Sequence, residues 1–187
     1  VDGDKVHELT LQATDGTDPV TQAITVTVTD AKDAPVFTLS STALDAVENQ
    51  TSVVTVTASD ADGDTPTFTI VGGADAALFN LDSSTGVLTF KAAPDFEAPA
   101  DADGDKVHKL TLQVTDGTDS VTQAITVTVT DANDAPAFTL ALTALSAAEN
   151  QMSVATVTAS DVDAADTLTF TIAGGDDAAL FDLDAFT

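Results

Sequence analysis

The chain repeats itself with a period of about 101 residues, and this repeat constrains the fold more than any other feature. Residues 1–30 and 102–131 agree at 26 of 30 positions, and both stretches contain DGDKVH. The match continues at 37–39 and 138–140, which both read Phe-Thr-Leu. A period of this length is the size of a small domain and is too long for the unit of a solenoid.

Two stretches that end in proline set the phase of the repeat: DAKDAP, beginning at Asp30, and DANDAP, beginning at Asp131. If both are linkers, one complete repeat covers residues 36–134. Residues 1–35 are then the back half of a preceding repeat, and 135–187 are the front half of the next. We therefore expect the chain to be part of a longer protein, which makes the lack of a signal peptide or membrane anchor uninformative.

Alternation of Val and Thr predicts strands throughout the complete repeat, because this pattern is typical of half-buried sheets. In the last run the alternation changes phase near Gln123, which indicates a β-bulge, and Val121 is expected to face the core. Short strands at this spacing predict an all-β sandwich of seven strands in two antiparallel sheets. The predicted strands are 37–44, 52–58, 67–71, 78–82, 87–91, 107–115 and 121–130.

The charge of the chain is extreme, with 31 acidic residues against five lysines and a net charge of −26. This field repels nucleic acid and anionic membrane surfaces, so neither is expected as a partner. Of the acidic residues 27 are Asp and four are Glu, and short carboxylates in loops favour cation binding. There is no cysteine, and a metal ion or a sufficient core can replace disulfides in a secreted domain.

The carboxylates cluster in loops and at strand ends, where they could supply the six to eight oxygens that calcium prefers. Pairs at i and i+2 point the same way in an extended chain, which suits a shared ion. An EF-hand loop beginning at Asp60 is excluded, because it has Thr65 and Val71 where Gly and Glu are required. The clustered acids are Glu48, Asp60, Asp62, Asp64, Asp95, Glu97, Asp101, Asp103, Asp105, Asp116, Asp131 and Asp134.

These motifs, in this order, resemble the cadherin repeat, particularly the cadherin-like modules of large bacterial surface proteins. That family has an immunoglobulin-like, Greek-key sandwich. Its repeats carry an early Glu, an acidic-x-Glu segment, an Asp-x-Asn-Asp linker before Pro-x-Phe, and an Asp-x-Asp in the following domain. The resemblance implies calcium ligands at the second linker: Glu48, Asp95, Glu97, Asp131, Asn133, Asp134, Asp161 and Asp163.

The first linker has a similar set of implied calcium ligands: Asp30, Asp33, Asp60, Asp62 and Asp116. We expect it to bind calcium more weakly, because Lys32 stands where the second linker has Asn133, and an ammonium group repels the ion. The early Glu and acidic-x-Glu partners of this linker would also lie before residue 1.

The resemblance implies an extracellular, membrane-associated bacterial adhesin, stiffened by calcium between neighbouring repeats, that binds like molecules or cell-surface polysaccharide. A carbohydrate-binding module is an alternative, although the lack of Trp and Tyr counts against it. A passive spacer is a third alternative. The near-identical copies favour it, because duplication supplies length and not a specific binding surface. The two half repeats could also complete each other, which predicts head-to-tail self-association. An enzyme is not expected.

Several polar residues receive simpler interpretations. The stretch that contains Asp101, Asp103 and Asp105 is interpreted as a polar loop that binds no ion. The histidines are considered structural, because neither has a Ser or Cys partner nearby. Solvated loop charges are predicted at Asp75, Asp176 and Asp177, and the structural histidines are His7 and His108.

Overall fold

The computed structural model describes residues 5–140 and 144–184, and these form β-strands with very little helix. Both 3-10 turns of this described part have three residues, Ala76–Leu78 and Ala178–Leu180, so no helix in it is long enough to span a membrane. The strands are β1 Val6–Thr14, β2 Pro19–Thr27, β3 Val36–Phe37, β4 Ala43–Val47, β5 Ser52–Thr55, β6 Ala58–Ser59, β7 Thr67–Gly72, β8 Phe79–Leu81, β9 Val87–Phe90, β10 Val107–Thr115, β11 Ser120–Thr130, β12 Ala137–Phe138 and β13 Ala159–Ser160.

Seven of these strands form the two sheets of a sandwich. One sheet has the order β4-β11-β10-β7 and the other β5-β9-β8, while β3 pairs separately with β6. Every pair is antiparallel except β4 with β11, which runs parallel from Ala43 opposite Thr126 to Val47 opposite Thr130. The predicted seven-stranded, all-β sandwich is confirmed.

The core lies between the two sheets, and alternation along the strands creates it. In β10, residues of one parity are buried and those of the other are half-exposed, so the apolar side chains face the opposite sheet. β11 shows the same pattern from Ile125 onward. The buried apolar residues are Ala46, Val56, Phe68, Phe79, Leu88, Phe90, Leu110, Leu112, Val114, Ile125, Val127 and Val129.

The prediction of one continuous strand at 37–44 is wrong. The chain leaves β3 after Phe37, and β4 begins only at Ala43, because the two segments pair with different strands. At the crossing, Thr38 N–H donates to Thr57 O at 2.8 Å, whereas Thr42 O accepts from Thr126 N–H at 2.8 Å. The predicted strand 52–58 is likewise split into β5 and β6.

The β-bulge predicted near Gln123 is also absent from the β10–β11 pair, whose register runs without a shift from Val107 to Thr115. The irregularity lies on the other edge of β10, between Thr111 and Leu112, where this strand pairs with β7. Val121, expected in the core, is exposed at the start of β11.

The hairpin β1–β2 has the same register as β10–β11, with every pair displaced by 101 residues. The surroundings of the two hairpins differ. Leu9 is 47% and Leu11 54% exposed, whereas the equivalent Leu110 and Leu112 are buried. The hairpin therefore forms in the described residues without a second sheet over its apolar face.

Candidate metal centre

A buried glutamate links the two segments that converge at the second linker. Glu48 follows β4 and is 2% exposed. Its Oε2 accepts the Phe96 N–H at 2.7 Å, and its Oε1 accepts the Ala132 N–H at 2.9 Å. Since both oxygens are used, this carboxylate holds the segment around Phe96 beside the segment that follows β11.

Other carboxylates come together around this bridge. Oxygens of Glu48, Asp95 and Glu97 lie within 4.8 Å of one another, and so do oxygens of Glu97, Asp131 and Asp163. Glu97 belongs to both groups. The structure thus brings together early, late and next-repeat acids that are far apart in the sequence.

Two pKa values in this group of acids are raised, by desolvation first and by the neighbouring charges second. The pKa of Glu97 is raised by desolvation first and then by the charges of Glu48, Asp131 and Asp163. The pKa of Asp131 is raised by desolvation and then by Asp163 and Glu48, with Lys106 acting in the opposite direction. The cluster therefore favours either protons or a bound cation.

Hydrogen bonds fix the linker between the two repeats. Asp134 N–H donates to Asp163 Oδ2 at 2.6 Å, and Asp134 Oδ1 accepts from the Asn49 side-chain amide at 2.9 Å. Asn133 directs its amide nitrogen to the Asp134 carbonyl oxygen at 2.6 Å. Asp161 Oδ1 accepts the Asp163 N–H at 3.0 Å. Because the side-chain nitrogen of Asn133 is used in this way, its amide oxygen remains available to bind an ion.

The first linker reproduces part of this arrangement. Asp33 N–H donates to Asp62 Oδ2 at 2.8 Å, as Asp134 does to Asp163. Oxygens of Asp60, Asp62 and Asp64 lie within 4.8 Å of one another.

Asp30 and Asp116 are not in that group among the described residues. Asp30 pairs with Lys5 at 2.6 Å, which lowers the pKa of its carboxyl. Asp116 Oδ1 accepts the N–H groups of Asp119 and Thr118 at 2.7 and 2.6 Å, and these bonds lower the pKa of Asp116. Asp30 thus pairs across the open end of the β1–β2 hairpin. Asp116 uses one oxygen within its own turn, and its Oδ2 is buried without a partner among the described residues.

Lys32 lies at the position where it was expected to oppose an ion. Its ammonium pairs with Asp64, and this hydrogen bond is the first cause of the raised pKa of Lys32. Asp60 and Asp62 add a smaller Coulomb attraction.

Replacing Lys32 with Asn should strengthen calcium binding at the first linker, because it removes this competing ammonium. We expect the affinity to rise roughly five- to tenfold, the effect of removing one charge a few ångströms from the ion. Calorimetric titration would measure it, with Asn133→Lys as the reciprocal change that weakens the second linker. Equal affinities for Lys32→Asn and the parent chain would contradict the assignment of Lys32.

Asp75 was predicted to be a solvated loop charge, and the structure shows that this is wrong. Asp75 is 2% exposed, and its oxygens accept the Ala102 N–H at 2.8 Å and the Lys109 N–H at 2.7 Å. Gly73 permits this close approach, since its φ is +111° and a Cβ would overlap the Lys109 carbonyl oxygen. Asp176 and Asp177 are exposed, as predicted.

Sequence reasoning also missed Asn49 and Asp166 as members of the two junctions, and it counted Asp64 among the clustered acids without assigning it to the first linker. Asp166 shares a group with Asp161 and Asp163. Asn49 has a φ of +60°, and the repeated Glu-Asn-Gln triplet was the signal that could have revealed it. His108 is buried between the rings of Phe79 and Phe90, which is compatible with its structural interpretation, whereas His7 is exposed.

The fold and its acidic junctions define a tandem β-sandwich repeat protein. The family model of the bacterial Ig domain matches residues 32–130, which is more than half of the chain. The chain therefore belongs to the bacterial Ig domain family. No protein with a curated description matches it.

Solved cadherin structures are similar to this chain. The protocadherin GammaB4 extracellular domain is 33% identical over 72% of this chain and 22% of its own, with a TM-score of 0.50. The protocadherin gammaB7 EC3-6 cis-dimer structure is 25% identical over 98% of this chain and 49% of its own, with a TM-score of 0.53. The chain thus spans less than half of either structure, and its predicted resemblance to cadherin-like bacterial repeats is confirmed.

Proposed function

We propose that the chain is a calcium-binding, non-catalytic segment of a bacterial extracellular or cell-surface protein. Calcium ions bind between consecutive repeats, stiffen the junctions and support calcium-dependent cell adhesion. The repeats are divided as 1–35, 36–134 and 135–187. The proposal rests on one observation above all: buried Glu48 joins two chain segments at a point where the carboxylates of Glu97, Asp131 and Asp163 converge.

The charge balance of the second junction supports a cation. Each linker segment is held by hydrogen bonds that leave carboxylate oxygens close together, and Asp163 comes from the repeat that follows. Without an ion these charges repel one another and loosen the junction. With calcium bound, oxygens from both repeats share one ion and fix their relation.

Millimolar calcium should raise the melting temperature of the chain, whereas magnesium should do so much less. Calcium at about 10 mM, which is roughly 100-fold above a Kd of about 0.1 mM, would add about 2.7 kcal/mol. This corresponds to roughly 10 °C or more for a domain of this size. Calorimetry suits the measurement, because the chain has no Trp or Tyr for fluorescence. An unchanged melting temperature in calcium would leave a passive spacer as the better reading.

The variant Glu97→Gln sharpens this test. Because the folded-state pKa of Glu97 is raised, ionisation of this carboxyl destabilises the fold progressively as the pH rises through that value. The variant should thus be more stable than the parent chain without calcium at pH 7, yet respond less to calcium. Glu149→Gln is the control, since Glu149 is exposed. A variant with the parent's full calcium response would exclude Glu97 as a ligand.

The partner of the adhesive surface is a like molecule or a cell-surface polysaccharide, with carbohydrate binding as the second candidate function. The passive spacer requires neither. Binding of the calcium-loaded chain to bacterial polysaccharide, compared with binding to immobilised copies of itself, separates these three alternatives.

Head-to-tail self-association is supported by the exposed apolar face of the β1–β2 hairpin, whose equivalent β10–β11 is covered. Sedimentation should show concentration-dependent assembly of the chain, because residues 138–184 of another copy match much of the segment that covers β10–β11. The match lacks the equivalent of 86–101, so one edge would stay open. Leu9→Asp should weaken the assembly, and Thr10→Asp on the other face should not. A monomer at all concentrations would exclude this association.

A further inference from the structure

The pentapeptide DADGD occurs twice in the chain, at 60–64, where Asp62 contacts the first linker, and at 101–105, just before β10. The two copies share two backbone features. In each, the first Asp accepts the N–H of the fifth residue, at 3.3 Å for Asp60 and 2.8 Å for Asp101. The fourth residue is a glycine with positive φ in both. The second copy therefore shares features with a loop that contacts the first linker, but it lies away from that linker.

Both loops also leave one carboxylate oxygen without a partner. Asp60 Oδ2 and Asp101 Oδ1 are buried and accept no hydrogen bond from any described residue. The case of Asp101 is more severe, since this residue is only 8% exposed. A buried carboxylate oxygen without a partner is costly unless a cation or another donor satisfies it.

The exposed side of the 101–105 loop carries the other acids. Oxygens of Asp101, Asp103 and Asp105 lie within 4.8 Å of one another, so a buried acid forms the base and two accessible acids form the rim. Lys109 Nζ lies 2.6 Å from Asp103 Oδ2 and 3.1 Å from Asp105 Oδ2. This one ammonium balances part of the charge of three carboxylates.

We propose that the loop 101–105 is a calcium site inside the repeat, bound by Asp101, Asp103 and Asp105 and weakened by competition from Lys109. The site is separate from the two linkers and does not rest on the function proposed for them. It replaces the earlier interpretation of this loop as polar and free of metal.

The preceding copy of the repeat supports the role given to Lys109. Position 8, which is equivalent to 109, is Glu, while Asp2 and Asp4 are equivalent to Asp103 and Asp105. The same loop thus has an acid in one copy and an ammonium in the other. An additional carboxylate is a further calcium ligand, so exchange at this position is expected to set the affinity.

The experiment uses the full chain with both linkers disabled by Asp62→Asn, Glu97→Gln and Asp131→Asn. Calcium chloride is added to about 10 mM, above the range typical of extracellular modules, while the amide signals of Gly104 and Asp105 are followed by NMR. We expect these signals to shift. Asp103→Asn should abolish the shift, and because Asp103 is exposed the fold should be retained.

Two charge-matched variants test Lys109. Lys109→Glu should tighten calcium binding at least roughly tenfold. Lys91→Glu changes the net charge equally, but Lys91 Nζ donates to Ala77 O elsewhere on the repeat, so its effect should be small. Equal effects of the two variants would overturn the proposal.

Absence of shifts at Gly104 and Asp105 in the linker-disabled chain would also overturn it. Calcium binding seen only in the Lys109→Glu variant would overturn the proposal for the natural chain. In that case Lys109 itself would neutralise the carboxylates and leave no room for calcium. Calcium binding at the linkers is followed separately, through the amides of Glu97 and Asp131 in the parent chain. The experiment can therefore disprove calcium binding at the loop 101–105 without disproving it at the linkers, and the reverse.

Discussion

Replacing Asp75 with Ala should destabilise the complete repeat by about 2–5 kcal/mol, because two part-buried backbone N–H groups lose their acceptor. These are the N–H groups of Ala102 and Lys109, both held by the Asp75 carboxylate. Since they flank the loop before β10, their loss should also loosen that loop. Chemical unfolding followed by circular dichroism would measure the change.

The matched control for this prediction lies in the chain itself. Asp177 is the equivalent of Asp75 in the following copy and is exposed. Asp177→Ala should therefore leave the unfolding free energy within about 0.5 kcal/mol of the parent. If both variants lost the same stability, the hydrogen bonds that Asp75 accepts from Ala102 and Lys109 would not explain the effect.

Replacing Glu48 with Gln should cost about 2–4 kcal/mol and remove most of the stabilisation by calcium. Each carboxylate oxygen accepts one backbone N–H, whereas a Gln side chain has a single acceptor oxygen and would direct its NH₂ group toward the other donor. The segments around Phe96 and Ala132 would then lose their common anchor. Calorimetry with and without calcium would report both effects.

Glu149→Gln provides the corresponding control, because Glu149 is equivalent to Glu48 but exposed. It should change neither the calcium-free stability nor the calcium response. A Glu48→Gln chain that lost stability but kept the full calcium response would restrict Glu48 to a structural role. The ligands would then have to be found among the outer acids alone.

The alternation of apolar and polar residues predicted the sandwich well, since the same pattern both forms the strands and fills the core. Strand ends were harder to predict. The break between β3 and β4 follows from pairing with different strands, and residues 38–42 carry no local sign of it.

Whether an individual acidic residue is buried or exposed was the hardest feature to predict. Asp75 and Asp177 occur in nearly identical stretches, GGADAALF and GGDDAALF, yet one is buried and the other exposed. The difference arises because Asp75 has β10 beside it, and local sequence does not encode that neighbour. The acids of the second linker were proposed from motif order, and in the structure Glu97 shares one group with Glu48 and another with Asp131.

The parallel pairing of β4 with β11 has a mechanical consequence. The two strands lie near opposite ends of the complete repeat, and five consecutive residues of each face the other. When tension is applied through the linkers, parallel strands are pulled in opposite directions along their length. Their hydrogen bonds are then loaded in shear, together, instead of opening one after another from one end. A repeat built in this way is expected to resist extension applied through its two ends.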